Sequence, residues 1–261
     1  MTKPIKKTII EVKKDRGMFL PLSDQVPKEL FMLGERPVLE ILVEEAISVG
    51  TENVVFLMEG KDERFVNLFK DLAEKESYLK RRGNPRAKTL KLLKEKFENL
   101  KFSFANDFTE ATRGAEDFAY ISSEKLIHTK ESSLEQLMSV FKTSERPVIG
   151  LKEADIGEVK TEKIARGLFK LKGFSEESSY SMAGRGIFTS ESRKFFEEAE
   201  TLREAIENML DRGHTTYGTH IEGKTFTINS QANYIKANIY YSLKGEKQKE
   251  LKEFINEEEL L

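Results

Sequence analysis

Three segments near the start of the chain set its architecture. Residues 8–12 (TIIEV) form a short β-branched run, the mark of a buried strand. After a loop with two prolines, residues 37–49 (PVLEILVEEAISV) place apolar side chains at 38, 39, 42, 43, 46, 47 and 49. That is helical spacing, with proline at the first turn and Gly50 as the stop. Residues 53–58 (NVVFLM) are apolar throughout and predict the next strand. Strand, loop, helix, glycine, strand is the βαβ order of a mostly parallel sheet flanked by helices.

The same patterning predicts helices over 63–80 and 85–100, then strands at 102–105, 118–121 and 148–151, with a helix at 133–141 between the last two. Residues 168–171 and 186–188 read as further strands, and 191–199 and 201–211 as helices ending at Gly213. Residues 215–222 and 225–228 predict a hairpin around Gly223 and Lys224, followed by helices over 233–243 and 246–255. No internal repeat and no linker rich in Gly, Ser or Pro interrupts the series, so residues 1–261 are expected to form one domain.

Composition removes several kinds of chemistry. The chain has no Cys, which excludes disulfides, thiolate catalysis and Cys-based zinc sites. Its histidines, 128, 214 and 220, have no metal-binding spacing, and His214 and His220 read as ordinary surface residues. Charged residues make up 34 % of the chain, mostly Lys and Glu, a bias reported for thermophilic proteins. The net charge of −2 gives no global field toward nucleic acid. Residues 78–96 carry eight Lys or Arg and one Glu, with aromatics only at the ends, Tyr78 and Phe97. This reads as a solvated helix face and argues against nucleic-acid binding. No stretch resembles a signal peptide or a membrane span of roughly 20 apolar residues, so a soluble, cytoplasmic protein is expected.

A series of short motifs then narrows the reading. Phe19-Leu20-Pro21 with Val26-Pro27-Lys28-Glu29 resembles an R-F-L-P…I-P-K-E pattern. Pro37-Val38-Leu39 with Val43-Glu44-Glu45-Ala46 and Gly50 resembles K-P-x-I-x-x-x-V-E-E-A-x-x-x-G. Residues 123–127 (SEKLI) look like P-D-D-x-I, and 183–188 (AGRGIF) like V-G-R-Y-x-L. Residues 223–238 (GKTFTINSQANYIKAN) are similar to G-K-x-[YW]-D-x-G-x-x-x-G-Y-x-K-A-N. In this order the motifs resemble those of the bacterial UTP–glucose-1-phosphate uridylyltransferases over nearly the whole chain. The resemblance implies a Rossmann-like nucleotidyltransferase fold of glycosyltransferase-A type.

The resemblance also marks what is missing. The family's metal-binding Asp in the last motif is Thr227 here, and the other metal position is Glu124, beside Lys125. A hydroxyl is a poor replacement for a carboxylate on a hard cation. The family's G-x-G-T-R nucleotide loop aligns with Lys14 to Met18: Lys14 and Arg16 stand at the glycines and Met18 at the Arg. Glycines there admit phosphate to the backbone N–H groups. The nearest equivalent of the base-binding G-L-G-H-A contains Gly114, and the E-K-P segment falls at 169–172 (FKLK), without a Glu. Lys28 persists at a position that faces the triphosphate in relatives.

The expected site therefore comprises Lys28 as catalytic residue, Arg16, Lys14 and Gly114 as nucleotide-binding residues, and Glu124 as metal ligand with Thr227 at the second ligand position. The leading expectation is a non-catalytic relative acting through association or ligand binding in nucleotide-sugar metabolism. Its partner would be a second copy or an active uridylyltransferase, with helices in 233–255 at the interface, and nucleotide or nucleotide-sugar as ligand. The alternative is an active enzyme making UDP-glucose, with Mg²⁺ at Glu124, Glu116 or Asp117 and phosphates cradled by Lys14, Arg16 and Lys28. Only that alternative requires Mg²⁺.

Overall fold

The computed structural model describes residues 4–14, 17–84 and 86–258. Along the chain, β1 (Lys7–Glu11) leads through a loop into the ribbon β2 (Met32–Leu33) and β3 (Arg36–Pro37), then α1 (Val38–Ile47) and β4 (Asn53–Leu57). Helices α2 (Glu63–Asn67), α3 (Leu72–Arg81) and α4 (Arg86–Phe97) precede β5 (Lys101–Ala105), α5 (Phe108–Thr112), β6 (Phe118–Ser122), β7 (Lys125–His128) and α6 (Ser133–Ser144). Two long strands follow, β8 (Val148–Ala165) and β9 (Leu168–Phe188), then α7 (Arg193–Glu197), α8 (Leu202–Asp211), β10 (Tyr217–His220), β11 (Lys224–Thr227), α9 (Gln231–Ser242) and α10 (Gln248–Glu257).

The central sheet has the order β10-β8-β9-β6-β1-β4-β5. Strands β6, β1, β4 and β5 are parallel, and β9 joins antiparallel to β6. Side chains alternate across the sheet, as the strand period of two requires. Ile10, Val54, Phe56, Ala119 and Ile121 face the layer containing α1 and α6. Ile9, Val55, Leu57, Phe118 and Tyr120 face the layer containing α5, α7 and α8. The expected α/β architecture is thus present, with the apolar runs at 8–12 and 53–58 at its centre.

Three local expectations fail, each through tertiary contacts. The single helix expected over 63–80 is broken between α2 and α3, where Asp71 adopts φ 57° and Phe69 stacks on Phe102 of β5. The strands expected at 148–151 and 168–171 are ends of one long hairpin, which includes 186–188. The hairpin curls until β10 pairs with both arms, parallel to Val148–Leu151 and antiparallel to Leu168–Lys170. The hairpin expected around Gly223 does not form: β10 joins the main sheet, whereas β11 pairs with β7. Gly223 (φ 109°) packs against the end of β7, where a Cβ would lie 2.6 Å from the His128 carbonyl oxygen.

One buried ion pair joins these layers. Arg185 of β9 is 1 % exposed. Its Nε and Nη2 donate to the two carboxylate oxygens of Glu45 on α1, each at 2.8 Å. The remaining N–H groups donate to the carbonyls of Ser122 (3.1 Å), Gly184 (3.0 Å) and Lys125 (2.8 Å). All five guanidinium donors are used. Glu45 also accepts from Ser133 at the start of α6. Gly184 (φ 72°) lets the strand approach this turn, since a Cβ would meet Ser122 and Lys125 at 3.0 Å.

Arg185→Met should therefore lower the unfolding free energy, measured in urea, by about 3–5 kcal/mol, because it leaves the Glu45 carboxylate buried and unpaired. Arg185→Lys should restore only part of this, since an ammonium has three donors in place of a planar fork. A loss below about 1 kcal/mol would show that the pair does not hold the layers together.

Candidate functional site

The carboxyl ends of β1, β4 and β6 open together, the edge at which open α/β sheets bind ligands. Lys14 follows β1 at this edge. Its ammonium lies 3.1 Å from the Glu59 carboxylate beyond β4, and both side chains are exposed. Arg16 lies outside the described residues. Met18 is half exposed on the adjoining turn.

Lys28 sits in a short 3-10 turn that Pro27 introduces in extended conformation. The Lys28 side chain is 4 % exposed, so it does not reach into solvent. Its Nζ donates to the Lys13 carbonyl at 2.8 Å. It faces two carboxylates, Glu29 at 3.7 Å and Glu124 at 3.9 Å. Glu29 is itself buried and accepts from the Ser123 hydroxyl at 2.7 Å. Burial raises the Glu29 pKa, while Lys28 and the Ser123 hydrogen bond act against that rise. Glu29 and Ser123 were not among the residues expected from sequence. Their only signal was adjacency, Glu29 in the Val-Pro-Lys-Glu turn and Ser123 beside Glu124.

Glu124 occupies the turn between β6 and β7 that Arg185 clamps on both sides, through the Ser122 and Lys125 carbonyls. Thr227 reaches the same place through strand pairing. It is the register partner of Lys125, and the next N–H, of Ile228, donates to the Glu124 carbonyl at 2.8 Å. The two positions singled out in the sequence are thus neighbours. Their chemistry does not match a Mg²⁺ site: one carboxylate, one neutral hydroxyl and an ammonium 3.9 Å from that carboxylate do not supply the anionic oxygens a hard dication needs. Among the described residues, no group of three or more His, Asp or Glu side chains is arranged to hold a metal.

Gly114 lies elsewhere. It follows α5 and precedes the first residue of β6, at the amino end of the parallel strands, where the Lys7 ammonium donates to the neighbouring Arg113 carbonyl at 2.7 Å. Glu116 and Asp117 share that end, and Asp117 accepts from the Ser190 N–H at 3.0 Å. A strand's length separates these residues from Glu124, so Gly114 cannot join Lys28 around one nucleotide, nor can Glu116 or Asp117 share a metal with Glu124. The carboxyl end of β5 carries Asn106, which accepts from the Gly60 N–H at 3.0 Å. The sequence placement erred because a lone glycine in a Thr-Arg-Gly-Ala stretch also suits the helix-to-strand turn it makes, at φ 67°.

The letters of the last motif that match the family pattern serve packing. Tyr234 donates to the Met32 carbonyl at 2.6 Å, and Asn238 donates to the same oxygen at 2.9 Å. The Tyr234 ring meets Phe19 and Phe31 edge-on, and Ala237 is fully buried. These contacts pin α9 to β2 and to the loop that carries Lys28.

Glu29 yields a pH prediction. Its folded pKa lies above the ordinary value of 4.5, so the folded state holds the proton more tightly than the unfolded chain does. Stability should then fall as pH rises from about 4.5 through the raised pKa and level off above it. Glu29→Gln should remove this contribution when unfolding free energies of both proteins are compared across that range. An unchanged pH slope in the variant would show that Glu29 does not titrate abnormally.

No protein-family model matches the chain. A Bacillus subtilis protein assigned as a UTP–glucose-1-phosphate uridylyltransferase is 29 % identical, covering 93 % of this chain and 98 % of that protein. UTP–glucose-1-phosphate uridylyltransferase 1 of Staphylococcus saprophyticus is 24 % identical over 96 % of this chain and 98 % of its own length. The UTP-bound enzyme from Acinetobacter baumannii superposes with a TM-score of 0.81 at 24 % identity, over 97 % of this chain and 99 % of that one. With the ordered motifs, the nucleotidyltransferase fold and near-complete coverage of these relatives, the chain resembles the UTP–glucose-1-phosphate uridylyltransferases along nearly its whole length.

Proposed function

We propose that this protein is a non-catalytic uridylyltransferase relative that acts in nucleotide-sugar metabolism as a regulatory or structural partner of an active enzyme. The observation that carries this reading is the donor set at Glu124: a single accessible carboxylate, with Thr227 as its neighbour and the buried Lys28 ammonium, itself shared with the buried Glu29, beside it. Joining UTP to glucose 1-phosphate brings two anions together, and phosphoryl transfer depends on positioned cations and donors. Each lost stabiliser of this kind is worth roughly 3–4 kcal/mol, or about two to three orders of magnitude in rate. Here a metal carboxylate is absent, Met18 replaces an arginine in the motif, and Lys28 is engaged with the Lys13 carbonyl.

The retained motif residues support the same reading. Arg185, Glu45, Tyr234 and Asn238 all have structural partners within the chain. Selection for the fold alone therefore accounts for them. For association, α9 presents Ile235 (55 % exposed) and Ile239 (53 % exposed), and α10 has no buried residue and exposes Phe254 at 52 %. These exposed apolar surfaces favour a partner.

With UTP, glucose 1-phosphate and Mg²⁺, UDP-glucose formation should not exceed a no-protein blank, while an active family member run in parallel turns over. Turnover that Glu124→Gln abolishes would reveal a relocated metal site and overturn the proposal. Co-expressed with an active uridylyltransferase, the chain should co-elute with it on size-exclusion chromatography, and Phe254→Glu with Ile239→Glu should separate the two. Independent elution of the unmodified proteins would rule out that partnership.

A further inference from the structure

The ribbon of β7 and β11 has two ends. One, at Lys125 and Thr227, belongs to the site above. The other, three residues along at His128 and Lys224, lies roughly 10 Å away at strand spacing. There an open cleft of about 750 Å³ runs between this ribbon, α6 and the end of α9, and none of Lys28, Glu124 or Thr227 lines it.

Positive charge converges in this cleft. The Lys224 ammonium lies 5.2 Å from the centre of the Tyr240 ring, and the Lys244 ammonium lies 5.9 Å from the same ring. His128 meets that ring edge-on at 5.1 Å. Lys130 lines the same wall. Among the described residues, no carboxylate forms an ion pair with Lys130, Lys224 or Lys244. Two acids line the cleft, Glu131 and Glu222. Glu222 interacts with Lys152, whose ammonium is anchored on the Gly223 carbonyl at 2.7 Å. That leaves three ammonium groups facing one carboxylate. Burial and the Lys244 ammonium both lower the His128 pKa, a second sign of positive potential at this point.

Like charges gathered in a concave site repel one another, and an anion with several acceptor oxygens relieves that repulsion while bridging the donors. We propose that this cleft binds a small phosphate-bearing anion through Lys224, Lys244 and Lys130, separately from the altered nucleotide site. In a chain whose sheet-edge site lacks a metal carboxylate, this gives the fold a second place to sense a phosphorylated compound.

The test is calorimetric titration of the intact protein with inorganic phosphate and with glucose 1-phosphate at low ionic strength. The panel is the unmodified protein, the Lys224→Gln/Lys244→Gln double variant and Lys14→Gln at the sheet edge. These lysines are exposed, so thermal unfolding should show all three proteins folded. Binding should weaken by about tenfold or more in the double variant and stay unchanged in Lys14→Gln. Tighter binding of glucose 1-phosphate would assign the site to a phosphate ester, and equal binding to inorganic phosphate, each in keeping with the proposal. No saturable binding of either probe up to about 10 mM, a concentration at which a site of about millimolar affinity would register, would overturn it. So would equal affinity in the double variant, or loss of binding in Lys14→Gln.

Discussion

The ion pair between Arg185 and Glu45 is the constraint on which the rest of the molecule depends. A buried guanidinium is tolerable only if its charge is matched and its donors are occupied. Arg185 meets both conditions by drawing together a carboxylate from α1, the backbone on both sides of the β6–β7 turn and its own strand. Glu45 extends the network to Ser133 at the start of α6. One helix layer, the sheet and the turn that bears Glu124 are therefore held by a single charge pair. Among the motif letters, Glu45, Gly184 and Arg185 thus have a structural role that does not involve catalysis.

The other retained motif works in the same way. Tyr234 and Asn238 share one carbonyl, that of Met32, and Tyr234 fills the space between Phe19 and Phe31. This fixes α9 against the segment that leads into Lys28. Scaffold and chemistry are thus carried by different letters of the same motifs. The contacts of Tyr234 and Asn238 with Met32, Phe19 and Phe31 do not involve Thr227, so the packing of this motif is independent of the residue at the position where the family carries a metal-binding Asp.

The charge cluster around Lys28 is internally satisfied. Lys28, Glu29, Glu124 and Ser123 satisfy one another and the Lys13 carbonyl. In the β7–β11 cleft the opposite holds, with ammonium groups converging and one acid to balance them. The polar groups at the Lys28 site are engaged with one another, whereas the ammonium groups of the cleft are exposed.

By itself the sequence determined the central parallel strands, α1 and its glycine stop, the helices α6, α8 and α9, and the resemblance to the uridylyltransferases, because these follow from local periodicity and ordered motifs that survive at low identity. It also marked Glu124 and Thr227 as a pair, through motif position alone. Only the tertiary structure decided that Lys28 is buried between two carboxylates, that Gly114 lies at the far end of the sheet, and that β10 and β11 part company across Gly223. Each of these depends on pairing between residues distant in the chain. A strand's partner, and the end of the sheet at which a side chain emerges, are set by which surfaces can be buried together. No window of local sequence contains that information.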